Sequence, residues 1–410
     1  MAQKLNQQES PARENVMPKS NRRSYWAPKF WHGLTLPVWI RLLVRNRFAV
    51  SPSLWPIALS ITLTATVHSM LAFLQSLFFS RRIARTEIVQ PPIFILGHMR
   101  SGTTLLQRLF ALDERFAFPT AYECFAPRSC LVSGWFVRRW LRFLQPARRP
   151  MDDMPAGLDL PHEDEFALCS LGLGSPYLQI AFPNRPQGEQ YLDFATAAVG
   201  ETQSWKDGLL RFVKQLTLRA GGKPIVLKSP THTARVRLLL QLFPDARFVH
   251  IVRDPLEVIP SALWCWKSVF QVHGLQRPKY KGLEERVFRD FERIQRTFSE
   301  QKHLIPAENL CEVRYEDLVC DPVGEMRAIY EHLNLVEFET VRPKLEQHWD
   351  IHQDHRTNRY DLSQELAAEI QRRCADFGYR YGYGPTVPAD SSEAEEREAA
   401  CATAVLAAIG

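Results

Sequence analysis

The chain has 410 residues, 45% hydrophobic and 23% charged, a balance that fits a globular protein and excludes a wholly disordered, collagen-like or coiled-coil chain. The net charge of +6 is uneven: residues 386–410 carry five acids against Arg397, a net of −4, which leaves +10 for the first 385. Such an excess suits anionic small molecules or a membrane surface and is too weak to imply nucleic acid. Eight cysteines without a CxxC pair or matching histidines predict reduced thiols, neither a disulfide framework nor a zinc site, and hence a cytoplasmic setting.

Residues 1–25 are polar and read as a disordered start without a signal peptide. Leu54 to Phe79 is a run of 26 residues free of Asp, Glu, Lys and Arg, preceded by Arg41, Arg45 and Arg47 and followed by Arg81, Arg82 and Arg85. Its length allows a membrane span, but Pro56, His68, Gln75 and several hydroxyl residues make it weakly apolar. A packed or membrane-surface helical pair is the other reading, and both stay open.

Next comes a short apolar strand, Ile93 to Leu96, bounded by Pro91-Pro92 and followed by GHMRSGTTLLQRLF. Gly97 and Gly102 bracket a tight loop, and Leu105, Leu106, Leu109 and Phe110 give the following helix an apolar face. A glycine loop between a buried strand and a helix start aims backbone N–H groups and the helix dipole at one spot, which favours an anion. The spacing is that of the phosphate-binding GxxxxGK[ST] loop, but Thr103 stands in the lysine position and Arg100 supplies a cation inside the loop. Loss of that lysine argues against ATP or GTP hydrolysis, whereas a guanidinium fork suits phosphate or sulfate.

Further along, Trp205 lies on an amphipathic stretch with Leu209, Phe212 and Leu216 and is expected in the core. A strand at 224–227 ends in Lys228-Ser229-Pro230, with a helix expected from about Thr231. A second strand–helix unit follows: Ala246 to Val252 is β-rich, Arg253-Asp254-Pro255 breaks it, and Leu256, Ile259 and Leu263 mark one helix face. Arg253 therefore stands at the carboxyl edge of a parallel strand, where ligands of open α/β sheets collect, and Ser261 lies about two helical turns on. Val313 to Leu318 closes a fourth strand, with Asp321-Pro322 opening a helix. His355 to Tyr360 is a basic loop before a helix expected over 362–377 and closed by Gly378.

These motifs resemble those of sulfotransferases that use 3′-phosphoadenosine 5′-phosphosulfate (PAPS). GHMRSGTTLL resembles their phosphosulfate loop, in the Arg-Ser-Gly-Thr-Thr form of the tyrosylprotein-type and bacterial branches. The resemblance implies that Arg100, Ser101, Gly102, Thr103 and Thr104 grip the 5′-phosphosulfate. FVHIVRDP with Ser261 eight residues after Arg253 resembles the 3′-phosphate motif, so these two residues are expected to hold that group. The same resemblance gives Lys228 the task of neutralising the leaving phosphate. It places Tyr315 near adenine, and it makes Arg356 and Arg359 candidates for the 3′-phosphate. It makes Glu123 the base, with His98 as the other nearby choice. His162-Glu163-Asp164-Glu165 resembles a Pro-x-Glu-Asp-Glu segment of bacterial members, and it reads as a helix start with dipole-favoured acids or as an acceptor-binding element.

The implied fold is α/β, a three-layer P-loop-like arrangement with a mainly parallel sheet flanked by helices. The implied regions are 1–88, a polar start plus a hydrophobic helical segment with membrane contact through 54–79 left open; 89–385, the sulfotransferase domain; and 386–410, an acidic disordered tail. The implied reaction moves a sulfuryl group from PAPS to an unidentified hydroxyl or amine, leaving 3′-phosphoadenosine 5′-phosphate. Sulfuryl transfer needs in-line placement, neutralisation of the leaving phosphate and a proton acceptor. Arg100 and Lys228 supply the charge, so no metal is required. The rival readings are a P-loop nucleotide kinase, which needs ATP and Mg²⁺, and a non-catalytic membrane-associated nucleotide binder. Acceptor selection is expected within 150–200, the stretch with the weakest signals.

Overall fold

The computed structural model describes residues 29–140, 157–335, 337–352 and 362–384. In chain order the helices before the first strand are α1 (Leu36–Arg45) and α2 (Trp55–Arg85). Strand β1 (Ile93–Leu96) leads to α3 (Thr103–Ala111), α4 (Ala121–Phe125), α5 (Cys130–Trp140), α6 (Asp164–Ser170) and α7 (Val199–Arg219). Then come β2 (Val226–Lys228), α8 (Val236–Leu242), β3 (Arg247–Val252), α9 (Pro255–His273) and α10 (Leu283–Gln301). The last strand is β4 (Leu310–Arg314), followed by α11 (Tyr315–Cys320), α12 (Pro322–His332), α13 (Phe338–His352), α14 (Gln364–Arg373) and α15 (Ala375–Tyr381).

The strands form one parallel sheet in the order β2-β1-β3-β4. Parallel strands need helical crossovers, so both faces are covered and the central strands carry apolar side chains on both sides. In β1, Ile93 and Ile95 enter one core with Val226, Val249 and Ile251, while Phe94 and Leu96 enter the other with Leu227 and Phe248. This alternation makes three layers, as the fold class expected. Chain order reverses at β1, with β2 on one side and β3 on the other, so a crevice opens at the carboxyl ends of β1 and β3. The phosphate-type loop and Arg253 both start there.

Local rules place the helices that matter. Asp254 caps α9 by accepting from the Leu256 N–H at 2.8 Å, with Pro255 in the first turn, and Asp321 caps α12 through the Gly324 N–H at 2.8 Å, again ahead of a proline. Trp205 is fully buried beside Phe194.

Several expectations change. The apolar run is one continuous helix, α2, because Pro56 falls in its first turn and breaks nothing. Trp31, Trp39, Leu42, Ile57 and Ile61 share a core with Phe94 and Phe248, so this helical segment packs against the sheet. The helix expected from Thr231 starts as a 3-10 turn, Pro230–Ala234, because the non-helical Arg235 interrupts it to reach buried partners. The helix expected over 362–377 divides at Cys374, and Gly378 lies inside α15. A methyl group at Gly378 would meet the Tyr383 carbonyl oxygen at 2.9 Å, whereas Gly382, with φ 75°, is the left-handed stop. Among the described residues, six cysteines are free thiols. The polar start at 1–25, the tail at 386–410, and Arg356 and Arg359 lie outside the described residues.

Candidate active site

The loop from Gly97 to Gly102 turns sharply. Gly97 (φ 141°), Arg100 (φ 72°) and Gly102 (φ 101°) all adopt positive φ, and for Arg100 this is a conformation that L side chains rarely take. Ser101 closes the turn by donating its N–H and its hydroxyl to the His98 carbonyl, at 3.2 and 2.7 Å. Thr233 braces the strand end by accepting from the Gly97 N–H at 2.7 Å. Gly102 is the N-cap of α3, and no side chain caps that helix. Its first-turn N–H groups therefore face the crevice with the positive end of the helix dipole. A methyl group at Gly102 would come within 2.4 Å of the Tyr315 ring, so only glycine lets the loop and Tyr315 approach so closely.

Cations converge on this loop. The Arg100 Nε donates to the Ser261 hydroxyl at 2.8 Å, which joins the loop to α9 across the crevice. The Arg253 guanidinium lies 4.2 Å from the centre of the Tyr315 ring and donates to the Arg100 carbonyl at 3.4 Å. Arg100, Arg253, Ser261 and Tyr315 thus share one crevice. Tyr315 is the first residue of α11, just past the end of β4.

Lys228 ends β2 on the other side of β1. It is 2% exposed, and its ammonium donates to Glu163 at 2.7 Å and to the Thr104 hydroxyl at 3.3 Å. The acidic run at the start of α6 is the partner of this strand end. Glu163 takes Lys228; Asp164 takes His232 at 2.6 Å and Ser229 at 3.1 Å; Glu165 takes Arg235 at 2.6 Å and Thr231 at 2.9 Å. Burial alone would raise the Glu163 carboxyl, but the Lys228 charge and hydrogen bonds from Lys228 and Tyr177 hold it at about 2. Burial likewise opposes ionisation of Asp164, and His232 outweighs it and keeps its carboxyl low. Arg235 is fully buried, donates to the Leu192 and Tyr191 carbonyls, and lies over the rings of Phe194 and Trp205.

Glu123 has partners of its own. One carboxylate oxygen accepts from the Thr120 N–H at 2.9 Å and its hydroxyl at 2.8 Å, a reciprocal cap of α4, and the other pairs with Arg219 at 2.9 Å. Both oxygens are thus engaged in holding α4. His98 is buried in the loop against Phe291, and burial pushes it down to about 4, partly opposed by its hydrogen bond to the Met99 carbonyl. At neutral pH its ring is uncharged.

A cavity opens beside the loop, walled by His98, Met99, Tyr177, Trp266, Val287 and Asp290. Tyr177 connects it to the lysine, because its hydroxyl donates to Glu163 at 2.6 Å. Sequence reasoning passed over Tyr177 and left Glu163 between a helix start and an acceptor-binding element. The available signal was charge matching between His162-Glu163-Asp164-Glu165 and the Lys228, His232 and Arg235 series.

The sequence model of the sulfotransferase family matches residues 91–339. The chain belongs to the sulfotransferase family. It is 44% identical over 364 residues to the omega-hydroxy-beta-dihydromenaquinone-9 sulfotransferase Stf3 of Mycobacterium bovis, covering 88% of this chain and 93% of that one, and equally to Stf3 of Mycobacterium tuberculosis. Its fold is similar to the crystal structures of sulfotransferase STF9 from Mycobacterium avium (TM-score 0.60, 17% identity, 85% of this chain and 97% of that one) and STF1 from Mycobacterium tuberculosis H37Rv (0.58, 18%, 83% and 90%). The protein is therefore a sulfotransferase with the P-loop-like fold, and PAPS is the sulfuryl donor general to the family.

Proposed function

We propose that this sulfotransferase moves the sulfuryl group of PAPS to a hydroxyl at the end of an apolar, quinone-type lipid. The acceptor class comes from the Stf3 relatives, whose name specifies an omega-hydroxy dihydromenaquinone, and their likeness runs through nearly the whole chain. Apolar side chains beside the loop, Met99, Trp266 and Val287, suit an alcohol presented on a hydrocarbon chain.

In this reading the N–H groups of Ser101, Gly102, Thr103 and Thr104, with the Arg100 side chain, hold the 5′-phosphosulfate. Arg253 and Ser261 take the 3′-phosphate, joined by Arg356 and Arg359 as the resemblance implies, and Tyr315 lies near the adenine. Lys228 stabilises charge developing on the leaving phosphate, with Arg100. We assign the base role to Glu163. The observation that carries this is its shared position: one oxygen on Lys228, the other on a tyrosine that lines the cavity. While Lys228 is parked on it, Glu163 is a poor base. When the donor's anion draws Lys228 away, the remaining burial raises the carboxyl toward the range where it accepts a proton.

The test incubates the purified full-length chain with labelled PAPS and a panel of primary alcohols of increasing prenyl length, against phenols, sugars and amines. Transfer to the prenyl alcohols supports the acceptor reading, and preference for a phenol or sugar overturns it. Thermal stabilisation by ATP–Mg²⁺ rather than by 3′-phosphoadenosine 5′-phosphate would favour the kinase reading.

A further inference from the structure

We infer that the outer face of α2, flanked by α1 and α5, is a docking surface for an anionic lipid bilayer, on which the protein lies without crossing it.

The surface apolar residues are concentrated here. Among the described residues, 18 large hydrophobic side chains are exposed, and 14 of them lie on three neighbouring stretches: Ile40 to Phe48, Trp55 to Phe78, and Trp135 with Phe136. Along α2 the exposed positions include Leu59, Leu63, Met70, Phe73 and Leu77, a stripe at helical spacing that faces away from the core. Trp135 is 72% exposed on α5. A contiguous apolar surface of this kind on a soluble fold marks an interaction site.

The opposite face of α2 rules out a crossing. Ile57, Ile61 and Ala65 are buried in the main core, and polar side chains fasten the helix to the rest of the chain. Trp39 donates its indole N–H to Thr62 at 2.9 Å, Leu36 donates its N–H to Ser69 at 2.8 Å, and His68 pairs with Ser129 at 2.7 Å. Gln75 is buried and bonds the Pro127 carbonyl, Gln215 and the Leu131 N–H. Withdrawing this helix to span a bilayer would unpair all of these groups, so its apolar half meets lipid while its polar half stays on the protein.

Charge selects the kind of membrane. No acid occurs between Glu14 and Glu87, and the ten basic residues of that interval give it +10. Residues 1–14 are neutral and residues 386–410 carry −4, so with a total of +6 the remaining 87–385 are neutral. The whole excess of positive charge thus belongs to the segment that carries the apolar face. Exposed Arg41, Arg45 and Arg47 lie toward one end of α2, and exposed Arg81, Arg82 and Arg85 at the other. Basic residues at both ends fit a helix lying in the plane of an anionic surface.

The inference rests on this surface and not on the acceptor, and binding is read without turnover. The full-length protein is sedimented with vesicles of phosphatidylcholine alone or with 30% phosphatidylglycerol. The expected result is binding to the anionic vesicles that weakens with salt. The triple reversal Arg81→Glu, Arg82→Glu, Arg85→Glu is expected to weaken it by about 100-fold. Leu63→Ser with Phe73→Ser and Leu77→Ser is expected to weaken it comparably, with an unchanged melting temperature and unchanged binding of 3′-phosphoadenosine 5′-phosphate. Failure to bind anionic vesicles at low salt overturns the inference. So does binding that both variants retain. A soluble dimer that the serine variant converts to a monomer would also overturn it, by making the face a contact between copies.

Discussion

Replacing Glu163 by Gln separates the chemistry assigned to it from a purely architectural task. In the free protein the variant leaves Lys228, 2% exposed, without its carboxylate, and breaking a buried ion pair by removing one partner costs about 3 kcal/mol. An arriving donor must displace Glu163 from Lys228 in the native protein but not in the variant. That removes a competing contact worth roughly 1–2 kcal/mol, so 3′-phosphoadenosine 5′-phosphate should bind about five- to thirtyfold more tightly. Turnover should fall by about 10²–10⁴-fold, the usual contribution of a positioned base. Tighter product binding with slower turnover is the signature, read by calorimetry and labelled sulfuryl transfer. The pH dependence gives a second readout. A carboxyl lowered from 4.5 to about 2 on folding contributes roughly 3 kcal/mol of stability, fully present above pH 4.5 and lost as pH falls toward 2. The variant lacks that contribution, so its stability should decline less steeply over that window than the native protein's. Weaker product binding together with an unchanged kcat would refute the assignment.

Glu123→Gln should lower stability by about 1–3 kcal/mol through the loss of its cap contacts and its Arg219 partner, while retaining most of kcat; denaturant unfolding and steady-state rates check both. A hundredfold loss of kcat in a stably folded Glu123→Gln protein would assign the base to Glu123 instead of Glu163. Gly102→Ala forces a methyl group to within 2.4 Å of Tyr315 at a φ of 101°, so donor binding should fall at least tenfold, measured by titration with 3′-phosphoadenosine 5′-phosphate.

The glycine loop and the Arg253 side of the crevice were legible because their instructions are local. A strand, a glycine turn and a helix start are contiguous in the chain, and the Arg253-to-Ser261 interval lies within one strand–helix junction. Apolar alternation in β1 and β3 likewise announces a sheet buried on both faces. What escaped depends on distant pairing. Nothing near Glu163 says that Lys228, 65 residues later, will be its partner, or that Tyr177 will reach the same carboxylate. The contacts of Glu123 were half legible: the Thr120-to-Glu123 spacing of a capping box was present, but its partner Arg219 is 96 positions away. The long apolar run could not declare its fate, because length and composition do not record which face the rest of the chain will cover.

The sequential match of Glu163, Asp164 and Glu165 to Lys228, His232 and Arg235 bears on any attempt to change what the enzyme sulfates. Exchange of the 150–200 stretch between relatives would test whether acceptor choice lies there. A graft cut there severs three interlocked contacts at once and leaves two buried basic side chains, Lys228 and Arg235, facing foreign neighbours. The exchangeable cassette is therefore discontinuous: the acidic triplet must travel with residues 228–235, and Lys228 with it.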